Sequence, residues 1–235
     1  MVLTFYDLPN DIIRELLCHY LSPKDIHKCL LTSKIFHVML PHQLYRIIRP
    51  SWYDCIKKGS LLTCMKIYQL SIDIKQPINI HENNEYAFER SCTIGHLEAA
   101  KWLYDLGLQL NSPINIHEGN EFAFRGSCRF GHFEVAKWLY DLSLQLNSPI
   151  NIHESNECAF ELSCYYGYLE VAKWLYDLGL QLNSPINIHE TNEGAFRGSC
   201  MNGHLEVAKW LCSLCDKYSI EIVVHGKIHY TISIW

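Results

Sequence analysis

The tetrapeptide Asn-Ile-His-Glu occurs four times, around His81, His117, His153 and His189. Imidazole beside carboxylate is the side-chain set of a metal site or of an acid–base pair. Cys92, Cys128, Cys164 and Cys200 recur in the same rhythm, and Cys212 and Cys215 form a Cys-x-x-Cys pair, a spacing that serves redox or metal chemistry in other settings. The rhythm itself argues against shared chemistry. Each series advances by 36 residues, as do Trp102, Trp138, Trp174 and Trp210. If each copy is one rung of a helical stack, equivalent side chains lie about 8–10 Å apart. That is too far for ligands that must reach a metal at about 2.0–2.2 Å, or for disulfides that need α-carbons within about 7 Å.

The histidines are therefore expected to hydrogen-bond backbone groups in connectors, and the ladder cysteines to be small core residues. The Cys212/Cys215 pair falls inside the last helix copy, without a βαβ setting. No Ser/His/Asp set, phosphate-cradling glycine loop or pair of catalytic carboxylates stands at a usable spacing. Glu98, Glu134, Glu170 and Glu206 simply follow the repeat. The expectation is a protein that is not an enzyme, with no catalytic, cofactor-binding or metal residues, no cofactor and eleven reduced cysteines.

The elements that carry these residues are two short helices and a long connector per copy. In the copy beginning at Asn84, that residue is placed as a helix cap, and Ala87, Phe88, Ser91 and Cys92 form one apolar stripe. Gly95 ends the helix. Leu97, Ala100, Leu103 and Leu106 line a second helix, with Gly107 read as its left-handed stop. Asn111, Ser112, Pro113 and Asn115 follow as a turn-rich connector. Two helices of about ten residues cannot bury a face alone, so the copies must stack. Stepping back 36 residues from Gly95 reaches Gly59, followed by Leu61, Ile67, Tyr68 and Leu70, which marks a degenerate first copy.

The second helices, Gly-His-Leu-Glu-Ala-Ala-Lys-Trp-Leu from Gly95 and Gly-His-Leu-Glu-Val-Ala-Lys-Trp-Leu from Gly203, resemble those of ankyrin repeats. The resemblance covers roughly residues 49 to 225. It departs from the family where Phe122-Ala123-Phe124-Arg125 replaces the usual Thr-Pro-Leu-His turn, and in a period of 36 rather than about 33. This variant looks like the ankyrin repeat proteins encoded by giant DNA viruses of amoebae.

Residues 4 to 46 have a different pattern. Leu8-Pro9-Asn10-Asp11-Ile12-Ile13, Leu21-Ser22-Pro23-Lys24-Asp25-Ile26 and Thr32-Ser33-Lys34-Ile35-Phe36 together resemble an F-box. Two departures are the lack of a Trp near Phe36 and the presence of Cys29. The resemblance implies a three-helix module docking on the adaptor subunit of a cullin-type ubiquitin ligase, with Leu8, Pro9, Ile12, Ile13, Leu16, Leu17, Leu21, Ile26 and Phe36 at the contact. A helical cap closing the open end of the stack is the alternative.

The expected fold class is thus all-α: an F-box-like module at 1–48, about five ankyrin-type repeats at 49–225, and a tail at 226–235. Ile220 to Val224 and Ile228 to Ile234 either form a hairpin about His225-Gly226 or merely close the last repeat.

A net charge of -5 and a pI near 6.2, with Lys and Arg scattered, give no basic footprint for nucleic acid or an anionic membrane. No apolar run approaches the ~18 residues of a membrane span. The first fifteen residues do not read as a secretory signal. The expected location is the cytoplasm, of the host if the chain is viral.

Positions that differ among copies are read as those that stacking leaves open. They are Asn83, Gly119, Ser155 and Thr191; Tyr86, Phe122, Cys158 and Gly194; Glu89, Arg125, Glu161 and Arg197; and Thr93-Ile94, Arg129-Phe130, Tyr165-Tyr166 and Met201-Asn202. From these the expected target-binding residues are Tyr86, Glu89, Thr93, Ile94, Phe122, Arg125, Arg129, Phe130, Glu161, Tyr165, Tyr166 and Arg197. The leading functional expectation is a substrate receptor that brings a target to the ligase. A scaffold or decoy that binds a host protein without ligase coupling is the second.

Overall fold

A computed structural model of the chain describes residues 41–215, 218–224 and 227–232. The expected adaptor contacts, from Leu8 to Phe36, lie outside the described residues. The described helices come in consecutive pairs: α1 (Pro41–Lys58) with α2 (Leu61–Asp73), α3 (Glu82–Thr93) with α4 (Leu97–Gln109), and α5 (Glu118–Arg129) with α6 (Phe133–Gln145). They continue with α7 (Glu154–Tyr165) and α8 (Leu169–Gln181), then α9 (Glu190–Met201) and α10 (Leu205–Leu214). First helices pack on first helices of adjacent rungs, and each on its own second helix.

The apolar stripes read from the sequence are the buried faces. Phe88, Phe124, Phe160 and Phe196 from first helices and Leu103, Leu139, Leu175 and Leu211 from second helices are almost fully buried, each worth about 1.5–3 kcal/mol in burial. The recurring tryptophan joins rungs. Trp138, Trp174 and Trp210 lie 6.1–6.2 Å, ring to ring, from Phe88, Phe124 and Phe160 of the preceding rung. Trp102 meets Trp52 of the degenerate first rung at 5.8 Å. Glycine between paired helices is dictated by two facts. Gly59, Gly95, Gly131 and Gly167 have φ between 65 and 84°, and a β-carbon on any of them would lie 2.2–2.4 Å from the His96, His132, Tyr168 or His204 ring of the next rung.

The connector is anchored rather than loose. Its Ile-Asn-Ile alternation sends Ile114 and Ile116 into the core, while the Asn115 side-chain oxygen accepts the His117 N–H at 3.1 Å.

Several expectations change. Asn84 is not a cap, because Asn83, Asn84 and Glu85 form a left-handed turn with φ of 55–60°, and this turn recurs at 119–121, 155–157 and 191–193. Gly107 does not stop α4. The helix runs on to Gln109, and Asn111 takes the left-handed conformation at φ 53°. Gly107 is small because the connector folds back on it: a β-carbon there would stand 2.9 Å from the Ser112 carbonyl. Helix α1 crosses the boundary expected between residues 48 and 49.

The chain is helical but not wholly so. Strands β1 (Tyr218–Val224) and β2 (Lys227–Ile232) form an antiparallel hairpin in register Tyr218↔Ile232 and Val224↔Lys227, with an irregularity between Glu221 and Val223. The hairpin crosses the expected start of a tail at 226 and packs β1 against α10 and β2 against α9. A run of β-branched residues broken by Gly226 competes poorly as helix, and the segment takes the hairpin, the first of the two arrangements expected for it. No described helix is long and apolar enough to cross a membrane.

Candidate interaction surface

Each rung has a connector edge and a turn edge. At the connector edge, the histidine Nδ1 lies 2.9 Å from a glutamate oxygen four residues on, as His81–Glu85, His117–Glu121, His153–Glu157 and His189–Glu193. The partner is a carboxylate, not the backbone group expected from the sequence. The four glutamates are themselves buried. Glu85, Glu121 and Glu157 also accept the N–H of Asn115, Asn151 and Asn187 in the next rung, at 3.1–3.3 Å. One carboxylate therefore clamps its own left-handed turn and ties it to the following rung. Left-handed residues other than glycine cost about 1–2 kcal/mol each, so three in a row require such a clamp.

The turn edge carries the variable residues. Arg129 Nη2 donates to the Tyr166 hydroxyl at 2.9 Å, and its guanidinium carbon stands 5.3 Å from the ring centres of both Phe130 and Tyr166. Tyr165 meets Tyr166 edge to face at 4.9 Å. Phe130 is 43% exposed, Tyr165 38% and Tyr166 37%. The guanidinium–aromatic contacts hold these side chains in one arrangement before any partner arrives, which lowers the entropy lost on binding. The structure thus joins four of the expected target-binding residues across two rungs. Phe122, on the exposed start of α5, and Arg197, on α9, are also open to solvent.

No family model and no curated protein matches this chain.

The remaining expected contacts are less open. Thr93 is buried: its methyl fills the space left by Gly126, where a β-carbon would approach it to 2.3 Å, and its hydroxyl donates to the Arg90 carbonyl. Thr93 cannot meet a partner. Tyr86, Ile94, Glu89, Arg125 and Glu161 are half-buried; Tyr86 stacks edge to face on Tyr53 at 5.4 Å. Arg125 donates to the Gly119 carbonyl at 3.1 Å and reaches the Cys158 sulfur at 3.6 Å. The charge alternation along Glu89, Arg125, Glu161 and Arg197 is no simple ladder of exposed ions. Desolvation, followed by repulsion from Glu118 and Glu85, pushes the Glu89 carboxyl up to about 7.

Variation between copies is also not independent of stacking. Gly126 makes room for Thr93, Gly194 for Glu161 and Gly198 for Tyr165: a β-carbon at Gly194 would lie 2.4 Å from the Glu161 carboxylate, and one at Gly198 2.7 Å from the Tyr165 ring. In all three pairs the glycine follows its partner by 33 residues, one period less one helical turn. That offset was readable in the sequence. It shows that some positions differ because the rung above or below requires it.

Cysteine placement follows the same division. Cys92, Cys128, Cys164 and Cys200 are buried, one per rung. Burial pushes the Cys92, Cys128 and Cys164 thiols far up and that of Cys200 up to about 11. The ladder spacing hid one close pair: Cys55 and Cys64, on α1 and α2, have sulfurs 2.8 Å apart in the first rung. Among the described residues, no group of three or more His, Cys, Asp or Glu could hold a metal ion.

Proposed function

We propose that this chain is a protein-binding module whose repeat stack presents the Arg129, Phe130, Tyr165 and Tyr166 cluster to a target protein. The carrying observation is that cluster: three exposed aromatic rings and a guanidinium, from two rungs, already in contact. Tyr and Arg are enriched among residues that dominate binding energy. An ankyrin-type stack, as the sequence resemblance implies, supplies a rigid support. Through the F-box resemblance of residues 4–46, the chain acts as a substrate receptor, joining its target to a cullin-type ligase adaptor in the cytoplasm. Its contribution is proximity: tethering raises the effective concentration of target near the transfer machinery, without chemistry by its own side chains on the target.

Two full-length variants test the two arms. Affinity capture from host cells followed by mass spectrometry should recover a ligase adaptor and a target with the wild-type chain. Leu8→Ala with Pro9→Ala should lose the adaptor and retain the target. Replacing Arg129, Phe130, Tyr165 and Tyr166 together by Ala should keep the adaptor and weaken the target by at least ~2 kcal/mol. Adaptor capture that is absent or unaffected by the first variant removes the ligase reading in favour of a scaffold. Undiminished target binding by a folded quadruple variant moves the recognition face elsewhere.

A further inference from the structure

The last rung ends differently from the others, and the difference brings a thiol to an imidazole. In the complete rung before it, His153 bonds Glu157 through Nδ1 and meets the connector hydroxyl of Ser184 through Nε2, at 3.0 Å. Helix α10 has 10 residues where α8 has 13. Its early end puts Cys215 into extended backbone, φ -154° and ψ 124°, with its N–H on the Cys212 carbonyl. The Cys215 sulfur then stands 3.9 Å from His189 Nε2, while His189 Nδ1 lies 2.9 Å from the buried Glu193 carboxylate.

Thiol, imidazole and carboxylate in this order form the arrangement of an activated nucleophile: base within reach of the S–H, and a third group orienting the base. With Nδ1–H donating to Glu193, the imidazole presents Nε2 as an acceptor toward sulfur. Where His153 faces an inert serine, His189 faces a group that can react. Cys215 is half-buried and the His189 side chain is 40% exposed, so a small reagent has access.

We propose that Cys215 is a nucleophilic thiol, with His189 as its base and Glu193 as a positioning residue, that takes low-molecular-weight disulfides. In the step, the Cys215 proton passes to His189 Nε2 and the thiolate attacks one sulfur of R–S–S–R. A Cys215–S–S–R bond forms as the S–S bond of the reagent breaks, and the departing thiolate recovers the proton from His189. Cys215 is oxidised to a mixed disulfide, the second half of the reagent is reduced to R–SH, and no other oxidant enters.

The test uses the reduced full chain at neutral pH with cystamine in excess, quenched in acid at intervals and mapped by mass spectrometry. Cys215 should be modified at least about tenfold faster in the native wild-type protein than in the same chain unfolded in guanidinium chloride, because only the fold brings the His189 base to the S–H. His189→Gln should slow Cys215 by about tenfold and leave Cys158 unchanged. Cys215 reacting no faster in the native wild-type chain than in the unfolded one overturns the proposal without any variant. So does a folded H189Q chain with an unaltered Cys215 rate.

Discussion

At the connector edge the imidazole–carboxylate distance is 2.9 Å in all four rungs. At the turn edge Thr93-Ile94 gives way to Arg129-Phe130, then Tyr165-Tyr166, then Met201-Asn202. The contrast follows from what each edge must do. The connector holds three consecutive left-handed residues and a rung-to-rung hydrogen bond on one buried carboxylate, so its His and Glu do not vary, while the solvent-facing first left-handed position does, as Asn83, Gly119, Ser155 and Thr191. The turn edge needs only a glycine stop and matched volumes on adjacent rungs, which leaves several outward side chains open to choice.

The largest expected effect breaks the connector edge. Glu157→Ala removes the acceptor of both His153 Nδ1 and the Asn187 N–H, leaving two poorly hydrated donors. It should destabilise the chain by about 3 kcal/mol in urea-monitored unfolding. The quadruple turn-edge variant should cost no more than about 1 kcal/mol, since exposed side chains contribute little to folding. Equal losses in the two variants would erase the distinction between the edges.

A smaller effect sharpens the idea that copies vary in matched pairs. Gly126→Ala should destabilise by about 1–2 kcal/mol, because the new methyl meets the Thr93 methyl. In a Thr93→Ala background the same substitution should stabilise by about 0.5–1 kcal/mol, through helix propensity alone. The sign change between backgrounds, read from denaturation midpoints, is the decisive quantity.

The smallest effect concerns charge at the start of the stack. Glu89 has its carboxyl raised from 4.5 to about 7, first by desolvation and then by Glu118 and Glu85. Between those pH values the folded chain keeps a proton that the unfolded chain has lost. The associated stability is fully present below pH 4.5 and is lost as pH rises through about 7. Glu89→Gln should therefore be more stable than wild type at pH 8 by about 1 kcal/mol or less, after allowance for solvent screening. The gap should close by pH 4.5, as thermal melts at the two pH values will show.

The 36-residue period, the paired helices and the buried stripe of Ala87, Phe88, Ser91 and Cys92 were legible in the sequence, because a 3.6-residue periodicity of apolar side chains is a local property. So was a glycine between each pair of helices, as far back as Gly59. The role of Gly107 is not legible in the sequence, because a glycine needed for close approach looks, in sequence, like one needed for a left-handed turn. Thr93 lies outside the recognition surface for a related reason: a difference among copies does not imply openness, and its methyl occupies the space that Gly126 leaves in the next rung.

What the sequence determined by itself was repetition, helix pairing and the residue types along each rung. Only the tertiary structure decided which imidazole meets which carboxylate, which rings clasp Arg129, and that the shortened last helix carries Cys215 to His189. Those contacts depend on left-handed turns and on offsets between rungs. The turns and the His–Glu pairs, four residues apart, do repeat with the period, but no residue type in them announces a left-handed backbone, and the contacts of Glu85 with Asn115, Arg129 with Tyr166 and His189 with Cys215 join residues 26–37 positions apart through packing between rungs rather than through the local preferences of neighbours.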